Sequence, residues 1–257
     1  MVEMLINSFS HPEIGHRRSA IACMLATLAL AACAPAQPGT EPYDPYEAQN
    51  RAAHGINLFI DRTLFGNKTQ KGIIPKIPAP ITIGFSNFAS NLGMPSSVLN
   101  DLLQLKPGPA MRNTLRFAVN STVGVGGLFD PATAIGIDAD KTDFGETLHV
   151  WGVPEGAYLE VPVWGPSTER DWTGTLVDVV IDPVNTVLKM PESGYAAAAI
   201  LTSKAGNRQR FADTYESILY ESADSYAQAR LLYLQNRHFE LGIEDATIDP
   251  YEDPYAQ

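Results

Sequence analysis

Between Arg112 and Asp171 the chain alternates short apolar runs with glycines and prolines, and few charges fall between them. Gly124, Gly126 and Gly127 sit together, followed by Gly145, Gly152, Gly156 and Gly165; Pro131, Pro154, Pro162 and Pro166 separate the runs. Glycine allows positive φ or a close backbone approach, and proline fixes φ and interrupts regular elements. The pattern predicts short helices and extended apolar segments joined by specified turns, suited to shaping a surface or a passage. On either side the pattern is helical. Ile56, Phe59, Ile60 and Leu64 share one face of a helix that starts with Asp44 as N-cap and Pro45 at N1 and stops at Gly66. Short helices are expected near 80–92 and 95–105, the second opened by Pro95, and another from Pro109 to about Val119. Thr168 to Val180 reads as a helix with a Thr-x-x-Asp cap, interrupted by Pro183. From Lys204 to Leu241, Phe211, Tyr215, Ile218, Leu219, Tyr226, Ala229 and Tyr233 keep helical spacing, with Asp213, Glu216, Glu221 and Asp224 opposite. Unbroken, that helix is about 50 Å long at 1.5 Å per residue.

The two ends read differently. Arg17-Arg18 precede an apolar run that closes on Leu30-Ala31-Ala32-Cys33. A basic flank, a short apolar segment and small residues form a secretory signal, and the run is too short to span a bilayer. Its end resembles the lipobox of bacterial lipoproteins, which implies a cut after Ala32 and acylation of Cys33. Ala34, where an Asp would imply inner-membrane retention, implies the outer membrane. Residues 1–32 are thus expected to be a signal peptide and 33–43 a Pro-rich flexible tether. Residues 44–241 form the domain, and 242–257 are an acidic, disordered tail. The chain's two cysteines are Cys23 and Cys33; the first leaves with the signal, so neither a disulfide nor a cysteine metal site is expected.

Charge narrows the function. With 18 basic and 29 acidic residues the net charge is −11, which disfavours nucleic-acid binding and polybasic membrane attachment. The search for chemistry finds little. His54, His149 and His238 are far apart, without HExxH spacing. Gly-Val-Gly-Gly matches no nucleotide-binding fingerprint. A serine nucleophile working with His149 and Asp143 has no GxSxG elbow behind it. No catalytic residue, metal or cofactor is expected. Arg116 and Arg170-Asp171 are either lipid-phosphate ligands or, as preferred, internal salt bridges that fix turns. Trp151, Tyr158, Trp164 and Trp172 suit a membrane-interface belt and a core cluster equally.

Several motifs occur in order. Asp44-Pro45, Glu47, Asn50-Arg51, Asn57 and Asp61 open the domain; GFSNFASNLGMPSSVLNDLLQ covers 84–104. RFAVNSTVGVGGLFD covers 116–130, an FGETL…RD segment covers 144–171, and Tyr226 with Tyr233-Leu-Gln-Asn-Arg-His-Phe comes late. Together these resemble the VacJ/MlaA lipoproteins over nearly the whole domain. Gln49, His54-Gly55 and Gly156-Ala157-Tyr158 depart from the family pattern. The resemblance implies a mainly α-helical, ring- or wedge-shaped lipoprotein with a long C-terminal helix, seated in the outer membrane. It implies extraction of mislocalised phospholipid from the outer leaflet, association with a trimeric porin and transfer to a soluble periplasmic carrier. Val123, Gly124, Gly126, Gly127, Leu128, Phe129, Trp151 and Tyr158 become candidates for the lipid passage. Asn50, Arg51, Asn57, Arg116, Asn120, Asp130, Arg170 and Asp171 become structural motif residues, and Cys33 the lipidation site. The rivals are a periplasmic lipid or cell-wall hydrolase, whose activity would depend on the histidines, and a structural envelope lipoprotein, whose deletion would spare lipid asymmetry.

Overall fold

A computed structural model describes residues 44–243. The signal, Cys33, the tether and residues 244–257 of the tail lie outside the described residues. In chain order come α1 (Glu47–Phe65), α2 (Ala79–Leu103), α3 (Pro107–Thr122), α4 (Pro131–Ala134) and α5 (Phe144–Val150). A hairpin of β1 (Tyr158–Val161) and β2 (Gly165–Thr168) follows, then α6 (Glu169–Ile181), α7 (Pro183–Val187) and α8 (Glu192–Arg210). The chain continues through α9 (Ala212–Glu216), a π-helical turn (Ser217–Glu221) and α10 (Ser225–Glu240). The strands are antiparallel, with Tyr158 opposite Thr168 and Val161 opposite Gly165.

The contacts between elements close on themselves. α2 lies against α3, α5, α7 and α8; α5 meets α6; α6 meets β2; β2 meets α10; the π turn and α9 then lead back to α8. α1 joins the circuit through β1. Small residues permit the closest approach: a Cβ on Gly206 of α8 would stand 2.5 Å from Thr82 of α2. Ala196, Ala199 and Ala205 are buried on the same helix.

The interior is unusual in composition. Its buried apolar residues are alanines together with Met94, Tyr158 and Tyr226. Asn50, Asn91, Asn100, Asp101, Asn113, Arg116, Glu160, Arg170, Asp171, Arg208 and Arg237 are buried with them. Large apolar side chains instead point outward on most elements, from Ile56 and Phe59 on α1 to Leu231 and Phe239 on α10. Among the described residues no helix is long and apolar enough to cross a membrane.

Three sequence expectations change. α1 begins at Glu47, with Tyr46 as N-cap and no side-chain cap bond. Asp44 is taken instead by long-range partners: Asn50 Nδ2 and Arg230 Nη1 donate to it at 2.9 and 2.5 Å, as does the Tyr226 hydroxyl. On the shared apolar face of α1, Ile56 and Phe59 are exposed, Phe59 at 70%, and Ile60 and Leu64 half-buried, while Asn50, Ala53 and His54 are buried. Pro95 does not open a second helix; it lies inside the 25 residues of α2. Its lost amide bond is outweighed by contacts along α2 with α3 and α8. The C-terminal helical run is not one rod, because Phe211, the π turn and Ser222 to Asp224 divide it. Asp224 is the N-cap that restarts it, accepting from Ala227 N. The remaining signals hold: Gly66 caps α1 at φ 78°, and Thr168 caps α6 by accepting from Asp171 N.

Candidate functional site

The glycine turn between α3 and α4 is as constrained as its sequence. A Cβ on Gly124 would stand 2.4 Å from Asn120 O and 2.5 Å from Phe129 O. Gly126 and Gly127 hold φ of 72° and 95°, and a Cβ on Gly127 would strike the Asn91 side chain at 2.6 Å. Below the turn, three motif residues form one knot. Arg116 donates from Nη2 to Asp130 and from Nη1 to Thr133 Oγ1 (2.8 Å) and Ile137 O. Asn120 donates to Asp130 Oδ1 at 3.0 Å and accepts from Ala132 N. Asp130 also caps α4 through Thr133 N. Burial pushes the Asp130 carboxyl up, but bonds from Thr133, Asn120 and Arg116 prevail and hold it below the ordinary range. Above the knot, Val123, Val125, Leu128 and Phe129 are exposed, Val123 at 70%. A polar base thus presents an apolar crest.

A second group binds α1 to the hairpin. Asn50 donates to Tyr158 O at 3.0 Å and accepts from Glu160 N at 2.9 Å, matching the edge of β1. Asn57, two turns on, donates to Val161 O and Glu160 and accepts from Val163 N. Arg51 forms two bonds to Asp224 at 3.0 and 2.8 Å and lies over the Tyr226 ring. Tyr158 does not line a passage: it is 2% exposed, and its hydroxyl donates to Glu160 at 2.6 Å. Trp151 and Trp164 face outward, and Trp172 is half-buried. Trp151 donates to Leu103 O, and Trp164 meets Trp172 edge to face at 5.9 Å. Of the belt and the core cluster, Trp151 and Trp164 fit the first and Tyr158 the second.

The third group is a buried ionic clasp. Asp171 accepts from Arg170 Nε and from Arg237 Nε, both at 3.1 Å, and from the Tyr233 hydroxyl at 2.8 Å. Arg237 also forms two bonds to Asp143 at 2.9 and 2.8 Å. Burial pushes the Asp171 carboxyl up, yet Arg237 and Arg170 hold it below the ordinary carboxylate range. Gly145 makes room, since its Cβ would touch Asp171 and Arg237. Arg116, Arg170 and Asp171 therefore act as internal bridges. His149 Nδ1 sits 3.4 Å from Arg170 Nη1; burial first and Arg170 next push its pKa down. It faces an arginine rather than a hydroxyl. Beside the clasp lies a polar cleft of about 320 Å³ lined by Lys141, Thr142, Asp143, Glu146, Arg237 and Glu240. Among the described residues no cluster of His, Cys, Asp or Glu is placed to hold a metal.

The chain thus gathers the motif residues into three clasps, but not the apolar candidates into an enclosed channel: they form an outward crest. Sequence reading missed Glu160, Arg230 and the interior place of Asp44, and weighed Asp143 only beside His149, not as the partner of Arg237. Arg230 and Arg237 lie two turns apart on α10, a spacing that marks one face without saying what faces it.

A family model described as "MlaA lipoprotein" matches residues 42–240. Proteins named "Intermembrane phospholipid transport system lipoprotein MlaA" from Shigella flexneri and Escherichia coli K12 are each 31% identical over 249 residues, covering 94% of both chains. An uncharacterised protein of Rickettsia prowazekii is 29% identical over 202 residues, 74% of each chain. A solved structure described as "Structural basis for maintenance of bacterial outer membrane lipid asymmetry" superposes with a TM-score of 0.62 at 27% identity. It covers 77% of this chain and 98% of that one.

Proposed function

Because the chain belongs to the MlaA lipoprotein family, we propose that it removes mislocalised phospholipid from the outer leaflet of the outer membrane and passes it toward the periplasm. In this reading it maintains lipid asymmetry. The observation that carries the reading is the inverted distribution of side chains. Charges and amides are paired inside, large apolar groups face out, and no described helix crosses a membrane. In water such an exterior is unfavourable by about 25 cal/mol for each Å² of apolar surface; against acyl chains it is not. A migrating phospholipid needs apolar contact for its chains and polar contact for its head group, since stripping a phosphate of partners costs several kcal/mol. The apolar crest at 123–129 offers the first, and the internally bonded knot beneath it fixes the crest's shape.

The finer parts are proposals on the same footing. Cys33 carries the lipid that anchors the protein to the outer membrane, a trimeric porin accompanies it, and a soluble periplasmic carrier receives the lipid. No covalent bond of the lipid changes, so the driving energy comes from a partner. Transfer of labelled phospholipid from reconstituted vesicles to a soluble acceptor tests the reading, with products checked by chromatography. Val123→Asp or Leu128→Asp is expected to slow transfer more than it lowers stability. Release of fatty acid or lysophospholipid that depends on His149 would defeat the reading, as would equal transfer without the protein.

A further inference from the structure

His54 is buried where α1, the hairpin and α10 meet, and its ring is held on three sides. Nδ1 lies 3.4 Å from Glu160 Oε1, Nε2 lies 3.0 Å from Ser225 Oγ, and the Tyr226 ring meets it edge to face at 5.8 Å. Glu160 and Ser225 are 106 and 171 residues away from His54 along the chain, so only the fold assembles the three. Glu160 is itself buried and accepts from the Tyr158 hydroxyl and from Asn57 Nδ2. A carboxylate only accepts, so it places the imidazole proton on Nδ1. Nε2 then carries the lone pair and accepts from the Ser225 hydroxyl.

A hydroxyl on a base, with the base oriented by a third group, is the arrangement that turns serine into a nucleophile. Ser225 also stands where negative charge is accommodated. It is the first residue of the 16-residue α10, and the opening amides and dipole of a helix favour an anion. Asp224 takes the amide of Ala227, and Ser225 N makes no hydrogen bond among the described residues. Arg51 neutralises the Asp224 carboxylate with two bonds and is itself bonded by Glu47. Ser225 is half-buried and these three charged side chains are exposed, so water and a small polar molecule reach the hydroxyl.

We propose that Ser225, His54 and Glu160 form a serine esterase site for short-chain, water-soluble carboxylic esters. Ser225 Oγ bonds to the ester carbonyl carbon while His54 Nε2 takes its proton. The carbon–oxygen bond to the alcohol breaks, and the alcohol leaves with that proton. Water then gives a proton to Nε2 and its oxygen to the acyl carbon. Ser225 Oγ departs, regains the proton from Nε2, and the carboxylic acid is released. Ser225 and His54 are the catalytic residues, and Glu160 is a positioning residue. The charged surroundings suit a short ester rather than a diacyl phospholipid. This activity is therefore separate from lipid transfer, whose apolar crest at 123–129 includes none of the three.

The test uses the full chain in detergent. A biotinylated fluorophosphonate is expected to mark Ser225 alone, as mapped by mass spectrometry, and only in the folded protein. Ser225→Ala should abolish the mark together with hydrolysis of p-nitrophenyl acetate, and His54→Gln should slow both by about 100-fold or more. Glu160→Gln leaves His54 in the wrong tautomer and should lower kcat by about a thousandfold or more while KM holds. A structural role alone would lower the melting temperature and leave kcat of the folded fraction unchanged. Labelling of the parent needs no variant, so the site stays testable even where a substitution of a buried residue unfolds the chain. An unmarked Ser225 in the folded parent overturns the site. So does a mark that forms as fast in His54→Gln, or hydrolysis that survives Ser225→Ala.

Discussion

Arg237 on α10 and Phe129 in the glycine turn occupy each other's customary places. The guanidinium is shut from water and meets Asp143, Asp171 and Glu240, while the phenyl ring stands open. Each is made tolerable by its surroundings. The arginine is matched by carboxylates, so its desolvation is offset by paired charge. The phenyl ring has no such partner within the protein, and its compensation must come from an apolar medium. The difference teaches that this fold is held together by polar recognition and reserves hydrophobic contact for what lies outside it.

The comparison breaks most readily at the clasp. Arg237→Met should cost about 3–5 kcal/mol, because it leaves Asp143 without its cation and Asp171 with Arg170 alone, and denaturant titration in detergent would show it. Asp171→Asn sharpens the same point through pH. The folded-state pKa of Asp171 lies below its ordinary 3.8, so its contribution is full above that value and fades as pH falls through the depressed one. The stability gap between parent and Asp171→Asn should therefore be constant near neutrality and shrink below about pH 4. A gap that widens on acidification contradicts this assignment.

The turn gives smaller effects. Gly127→Val, which adds both a left-handed penalty and a collision with Asn91, is expected to lose about 2 kcal/mol or more. Gly126→Ala meets nothing within 4 Å and should lose only about 1 kcal/mol. Equal melting losses for the two would mean that contact with Asn91 does not hold the turn. On the outside, Phe59→Ser should change stability in detergent by no more than about 0.5 kcal/mol, yet lower vesicle association. A large stability loss there would place Phe59 in a core.

Much of the fold was legible where the signal is local. Thr168 and Gly66 mark helix ends because caps act within a few residues, and the closely spaced glycines mark a turn for the same reason. The clasp residues were legible as motifs but not as partners. Asn50 and Asn57 find β1 across separations of 103 to 110 residues, which no local pattern encodes. The shared face of α1 was legible, but not what it meets. Helical periodicity states that Ile56, Phe59, Ile60 and Leu64 lie together, not whether the apolar medium they meet is protein or lipid. Pro95 misled for a related reason, since a breaker acts on an isolated helix while α2 is supported along its length.

The seam at Asp44 sets a timetable for biogenesis. Its partners Tyr226 and Arg230 lie 182 and 186 residues further along the chain. At synthesis rates of 5–20 residues per second, the carboxylate waits roughly 10–40 s for them to be made. During that interval α1 to α8 are made one after another, and the circuit of contacts stays open until α10 is complete. A chain ended before Ser225 lacks both partners of Asp44, so this seam is expected not to close and the truncated chain to unfold at lower denaturant than the full one.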